Sequence, residues 1–248
     1  MNMSKNEQSN YRQQLAAEIK SVPKKQRRTI LDKAQENQQY WQARGEKIKQ
    51  TQEEAQTDDG MAVFLKKKTL YHGSGTKDIK LFDKAEEDTV GSGVYFTSEP
   101  KDAIGYARRR SKSNADKTPV IYEGSVENMK VLDLRNKKNV NQILDGFKQV
   151  LLKEIERNKE NDSENKKFFW RRVLETSVEK IDSDEIGTGN LREVTFSTGR
   201  LFSDYCKSLG YEGLITFEGG EGQDVGSHDT YLIFDPGRVK INREHKIV

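Results

Sequence analysis

Hydrophobic positions follow one period over the first sixty residues and another over the rest of the chain. In residues 1–60 they are sparse: Tyr11, Leu15 and Ile19, then, beyond Pro23, Ile30, Leu31 and Ala34, in a stripe that runs on toward Tyr40 and Trp41. Residues three or four apart share a helix face, so this pattern predicts two or three amphipathic helices interrupted at Pro23. The stripe is too thin to fold alone. Residues 1–60 are therefore expected to form a helical N-terminal extension, packed on the main domain, docking a partner, or partly disordered. "QTDDG" at 56–60 reads as a linker, which sets a domain boundary between 1–60 and 61–248.

Past that boundary the period shortens. Strand-like runs occupy 62–65, 69–71, 94–97, 120–126 and 130–134, with a charged helix over 101–110 opened by Pro100 at its first position. Residues 139–180 return to helical spacing, with Ile143, Phe147, Val150, Leu151 and Ile155 on a core-facing stripe. The polar break "NKENDSENKK" separates this helix from a second one through Trp170, Val173, Leu174 and Val178. A helix near 198–208 and the strands "GLITF", "TYLIFD" and "RVKI" complete the chain. Strands gathered at both ends with helices between them predict α+β architecture and argue against a doubly wound parallel sheet.

Composition narrows the chemistry. Hydrophobic and charged residues each make up 33% of the chain and the net charge is +3, which permits a nucleic-acid partner without requiring one. Cys206 is the sole cysteine and His72, His228 and His245 are the only histidines, so a disulfide framework is ruled out and no metal centre is expected. No stretch approaches the length of a membrane span and the N-terminal residues lack an apolar core, so a soluble, cytoplasmic protein with no membrane partner is expected. The chain has no glycine-rich phosphate loop between a strand and a helix, no GxSxG elbow and no HExxH helix.

Three stretches remain: "YHGSG" at 71–75, "GSGVYFTS" at 91–98 and "DTYLIFDPGRVKI" at 229–241. Together they resemble the motif regions of the His-Tyr-Glu ADP-ribosyltransferases, the superfamily of diphtheria-type toxins and poly(ADP-ribose) polymerases. The closing strand is most similar to the short domains of phage polyvalent proteins. The resemblance spans roughly residues 66–243. It implies split antiparallel β-sheets with peripheral helices, NAD as the substrate and no metal.

Residue by residue, the resemblance carries over as follows. Tyr106 follows Tyr95 by eleven positions, the separation at which a strand tyrosine and a helix tyrosine form aromatic walls around the nicotinamide ring. Offset stacking holds a flat cationic ring at low entropic cost. His72 is implied to bond the ribose hydroxyls, and Gly73 to offer its bare backbone to the carboxamide, with Ser74 a weaker contributor. Arg108, first of the three arginines after Tyr106, is a candidate for the pyrophosphate or for a nucleic-acid acceptor, although a solvated helix face is the commoner use of such a run. "KKFFWRRV" at 166–173 has a composition suited to stacking on bases, and equally to a core helix with wet arginines.

The third motif departs from the family pattern. Thr230 stands where the family places its glutamate, and threonine supplies a hydrogen bond but no charge. A nearby anion stabilises the cationic sugar of the transition state, so a replacement is expected. Asp229 is the favoured candidate, provided a bulge turns it to the Thr230 face; Glu218, Glu221, Gln223 and Asp224 in the preceding loop are alternatives, as is the acceptor itself.

The expected function is mono-ADP-ribosyl transfer from NAD to a macromolecule, nucleic acid or protein, with His72, Tyr95, Asp229 and Thr230 as the catalytic group. By analogy with its relatives, a toxin role with an antitoxin or chaperone partner belongs to the same expectation. The alternatives are a catalytically degenerate module that binds NAD, ADP-ribose or a partner, and an NAD glycohydrolase.

Overall fold

The computed structural model describes residues 53–56, 60–84, 90–112, 117–159, 165–183, 186–187, 191–218 and 228–247. The helices expected in the first fifty residues lie outside them. The elements run β1 (Glu53–Gln56), β2 (Ala62–Ser74), β3 (Val94–Thr97), α1 (Pro100–Lys112), β4 (Val120–Asp133), α2 (Lys137–Lys159) and α3 (Asn165–Asp182). Then come α4 (Arg192–Thr195), α5 (Gly199–Ser208), β5 (Gly213–Glu218), β6 (His228–Ile233), a 3-10 turn (Pro236–Arg238) and β7 (Lys240–Lys246).

The fold is mixed α+β, but the expected split antiparallel sheets are not what forms. Strands β2, β3, β6, β5 and β4 pair in that order, and β4 pairs back onto β2, which closes a five-stranded barrel. The pairing of β4 with β5 is parallel, so the sheet is not wholly antiparallel either. The physical reason lies in two long strands. The runs read separately at 62–65 and 69–71 are one strand of 13 residues, and those at 120–126 and 130–134 are one strand of 14. The two pair with each other along their length, bridging a left-handed kink at Asn128 (φ 52°). Each then carries two partners on its outer edge: β1 and β3 on β2, β7 and β5 on β4. Since β3 joins β2 at Tyr71 and β5 joins β4 at Val131–Asp133, the β3–β6–β5 ribbon crosses from one end of the pair to the other. That stagger closes a barrel.

Alternation along the strands divides the core in two. Val63, Leu65, Val94, Phe96, Val131, Ile215, Tyr231 and Ile233 fill the lumen. Their neighbours Ala62, Leu132, Leu214 and Leu232 face outward, under Phe147 and Leu151 of α2, Leu174 of α3 and Phe202 of α5. The barrel is weakest between β2 and β3, which share a single pair, Tyr71 with Thr97. Beyond it the two strands part, and the candidate site gathers at that parting.

Candidate active site

The parting is held by side chains. His72 follows Tyr71 on β2, and its Nδ1 lies 2.8 Å from the Tyr95 carbonyl oxygen on β3. A carbonyl only accepts, so Nδ1 carries the proton, and the neutral ring keeps Nε2 as a lone-pair acceptor. Burial pulls the His72 pKa below its ordinary value of 6.5; the bond to Tyr95 opposes this, and the Arg110 charge adds to the fall. The imidazole is therefore neutral at pH 7. Phe82 and Phe96 pack on it at centroid distances of 5.0 and 5.7 Å.

Tyr95 is equally fixed. Its hydroxyl accepts from the Val90 and Gly91 N–H groups at 3.0 and 2.9 Å and donates to the Gly91 carbonyl at 2.8 Å. Its ring rests half-buried on the outer core. The hydroxyl is thus committed to the turn that opens β3.

Helix α1 seats directly on β2. A Cβ at Gly73 would come 2.1 Å from the Ala103 carbonyl oxygen and 2.7 Å from the Ala107 nitrogen. Glycine there lets a helix backbone touch a strand backbone, a demand made by the fold itself. Ala103 and Ala107 flank Tyr106 on the helix, so this contact sets where the second tyrosine stands. The Tyr106 hydroxyl lies 3.5 Å from Glu218 Oε2 and 3.4 Å from His228 Nε2, and its ring meets His228 edge-on at 5.7 Å. Burial, and then the Glu218 charge, push its pKa upward, so it remains a protonated donor. The Arg109 guanidinium lies 5.6 Å from the ring centroid.

Thr230 closes the group. Its Oγ1 is 3.1 Å from Glu218 Oε2 and 3.2 Å from His228 Nε2. The register explains this: Glu218 of β5 pairs with His228 of β6, Thr216 pairs with Thr230, and Thr97 of β3 pairs with Thr230 from the other side. Glu218, His228, Thr230 and Tyr95 therefore share the outward face of the β5–β6–β3 ribbon.

Asp229 goes elsewhere. The β5–β6 ladder runs without a bulge, so alternation sends this side chain to the opposite face, beside Phe217. Its Oδ2 accepts from Arg135 Nη1 at 2.8 Å, while Arg135 also binds Asp133 through Nε and Nη2. Ser74 Oγ accepts from the Thr76 N–H at 3.0 Å within its own turn. Arg108 is exposed, and Arg109 is the arginine that meets Tyr106. Glu218 was one of several loop candidates in the sequence, whereas nothing there singled out His228. The available signal was its position two residues before Thr230, which puts both on one strand face.

The domain so described is ADP-ribosyltransferase-like. Residues 66–246 match the family model of the ADP-ribosyltransferases in polyvalent proteins, and the chain belongs to this family. No curated protein matches the chain. Among solved structures, the chain is similar to the crystal structure of the M. tuberculosis MbcT-MbcA toxin-antitoxin complex, at 10% identity over 73% of this chain and 85% of that one, with a TM-score of 0.35. Among the described residues no helix is long and apolar enough to cross a membrane.

Proposed function

We propose that this domain transfers single ADP-ribose units from NAD to a macromolecular acceptor, protein or nucleic acid. The observation that carries the reading is the imidazole wired to the Tyr95 carbonyl, which leaves His72 Nε2 as an acceptor. An acceptor of that kind suits a ribose hydroxyl, which donates. Tyr95 and Tyr106 would stack on the pyridinium face, Gly73 would offer its backbone to the carboxamide, and Arg108 or its neighbour Arg109 would meet phosphate charge. Thr230 would add a hydrogen bond at the reacting sugar. The family to which the chain belongs supports NAD as the substrate.

The reaction breaks the bond between ribose C1′ and the nicotinamide nitrogen, and both electrons leave with nicotinamide. A nucleophilic atom of the acceptor forms the new bond to C1′ and loses its proton to water. A toxin role, kept in check by an antitoxin or chaperone, belongs to the same reading and rests on the superfamily resemblance. Of residues 1–60, those preceding β1 would then serve as the docking arm for such a partner.

Incubation with NAD labelled in the adenylate half, in whole-cell extract, tests this proposal. Released nicotinamide and label in macromolecules are expected, with separate protease and nuclease digestion assigning the acceptor. Nicotinamide release without incorporation would make the protein a glycohydrolase. No release and no incorporation would favour a degenerate binding module, the reading supported by the absence of a carboxylate at position 230.

A further inference from the structure

The family glutamate is missing from position 230, yet a carboxylate stands beside it. We infer that Glu218, on the neighbouring strand, supplies the negative charge that the reaction needs, so that this chain has moved its catalytic carboxylate from β6 to β5. The inference rests on the transferase reading above and adds to it the identity of the anion.

The geometry carries it. A glutamate at position 230 would hold its carboxylate oxygens two bonds past the atom where threonine places Oγ1. Glu218 Oε2 lies 3.1 Å from that Oγ1. The two residues are diagonal neighbours across an antiparallel ladder, since Glu218 pairs with His228. Diagonal backbones in such a ladder are about 7–8 Å apart, a gap that a glutamate side chain spans. Threonine is the complementary choice at 230, being small enough to admit the neighbour's carboxylate and able to donate to it. Tyr106, the helix wall of the proposed nicotinamide slot, points its hydroxyl at the same oxygen.

The other acid near position 230 is already committed. Asp229 faces the opposite way and shares the Arg135 guanidinium with Asp133, so its charge is offset by a cation within 2.8 Å. An anion neutralised in this way contributes little field at a developing sugar cation. Glu218 Oε2 instead receives hydroxyls, those of Tyr106 and Thr230, which orient a carboxylate by donating to it.

The test uses the full-length protein, unmodified NAD and cell extract, with nicotinamide release and NAD affinity measured separately. Glu218→Gln keeps the shape and hydrogen bonding of the side chain and removes its charge. It is expected to lower the rate constant for release by roughly 10²–10³-fold, with NAD affinity within about threefold. Thr230→Glu introduced into that variant should recover at least about tenfold of the loss. Asp229→Asn should cost much less than Glu218→Gln. The inference is overturned if Glu218→Gln turns over within threefold of the parent, if it loses NAD affinity in proportion to rate, or if Asp229→Asn loses as much. It is also overturned if the folded double variant is no faster than Glu218→Gln. A parent protein that neither binds NAD nor releases nicotinamide would instead defeat the transferase reading itself, and this inference with it.

Discussion

His72 on β2 and His228 on β6, both assigned to the candidate site, are wired in opposite ways. The His72 ring donates to a main-chain carbonyl, which fixes its tautomer whatever side chains surround it. The His228 ring meets only hydroxyls in the described contacts of its Nε2, those of Tyr106 and Thr230 at 3.4 and 3.2 Å, and a hydroxyl can give or take a proton. One end is set by strand geometry, and the other by side chains brought together from α1, β5 and β6. On the proposed reading the first end would offer ribose a single arrangement, while the second would offer hydrogen bonds that can reverse direction.

If that contrast is right, the two histidines will not tolerate replacement equally. His72→Ala removes a group that both bridges the parted strands and presents a fixed acceptor. It is expected to lower kcat/KM for NAD by at least about 10²-fold, since small misplacements of a substrate cost that much. His228→Gln retains a side chain able to bond both hydroxyls and should cost less than about tenfold. Steady-state nicotinamide release from the two variants checks the ordering, and equal losses would break the comparison.

A smaller effect probes what couples the two ends. Helix α1 rests on Gly73, one residue after His72, and delivers Tyr106 to Glu218. Gly73→Ala drives a methyl group to 2.1 Å from the Ala103 carbonyl oxygen, which belongs to backbone and cannot swing aside. Overpacking of this kind costs about 1–3 kcal/mol. A corresponding drop in the urea midpoint is expected, with activity falling further than stability alone explains because Tyr106 moves with the helix. An unchanged midpoint would show that α1 is not held by this contact.

The same contrast explains what could be read in the sequence. The order of strands and helices from residue 94 onward was largely legible, because each element repeats its own period locally; β4 was split into two runs, and the short α4 and the 3-10 turn went unread. The closed barrel was not, since periodicity says which face of β2 is buried and nothing about β2 pairing with both β3 and β4. Charged "KKK" at 66–68 also read as an end to the strand, although it lies in mid-strand, with Lys66 and Lys67 exposed and Lys68 buried. Likewise Glu53–Gln56, within the stretch read as helical, adds a strand to β2. At the candidate site, His72, Tyr95 and Tyr106 sit in local motifs and can be nominated from the sequence. Glu218 beside Thr230 depends on β5–β6 register across 219–227, which no local pattern records.

The smallest expected effect follows from the protonation of His72 and of Glu244. In the folded protein the His72 pKa lies below 6.5, chiefly through burial, against the packed rings of Phe82 and Phe96 and near the Arg110 charge. In the unfolded chain the same ring titrates near 6.5. As pH falls through 6.5 the unfolded state takes up a proton that the folded state refuses, so stability falls, by at most about 1.4 kcal/mol per pH unit. The contribution is complete above 6.5 and is lost progressively down to the folded value. Activity should fall in the same direction, because a protonated Nε2 no longer accepts from a hydroxyl. Glu244 gives a second acid-sensitive step at lower pH. Burial raises its pKa, but bonds from the Asp78 N–H and the Tyr122 hydroxyl outweigh that and bring it below the usual carboxylate value. Its stabilisation is present above the ordinary glutamate range, near 4.3, and is lost only as pH falls below it. Urea unfolding of the parent and of His72→Gln between pH 7.5 and about pH 3 separates the two steps. The variant should lose the upper slope and keep the lower one, and a parent with no slope between about pH 6.5 and pH 5 would show that the His72 ring is not held neutral by the fold.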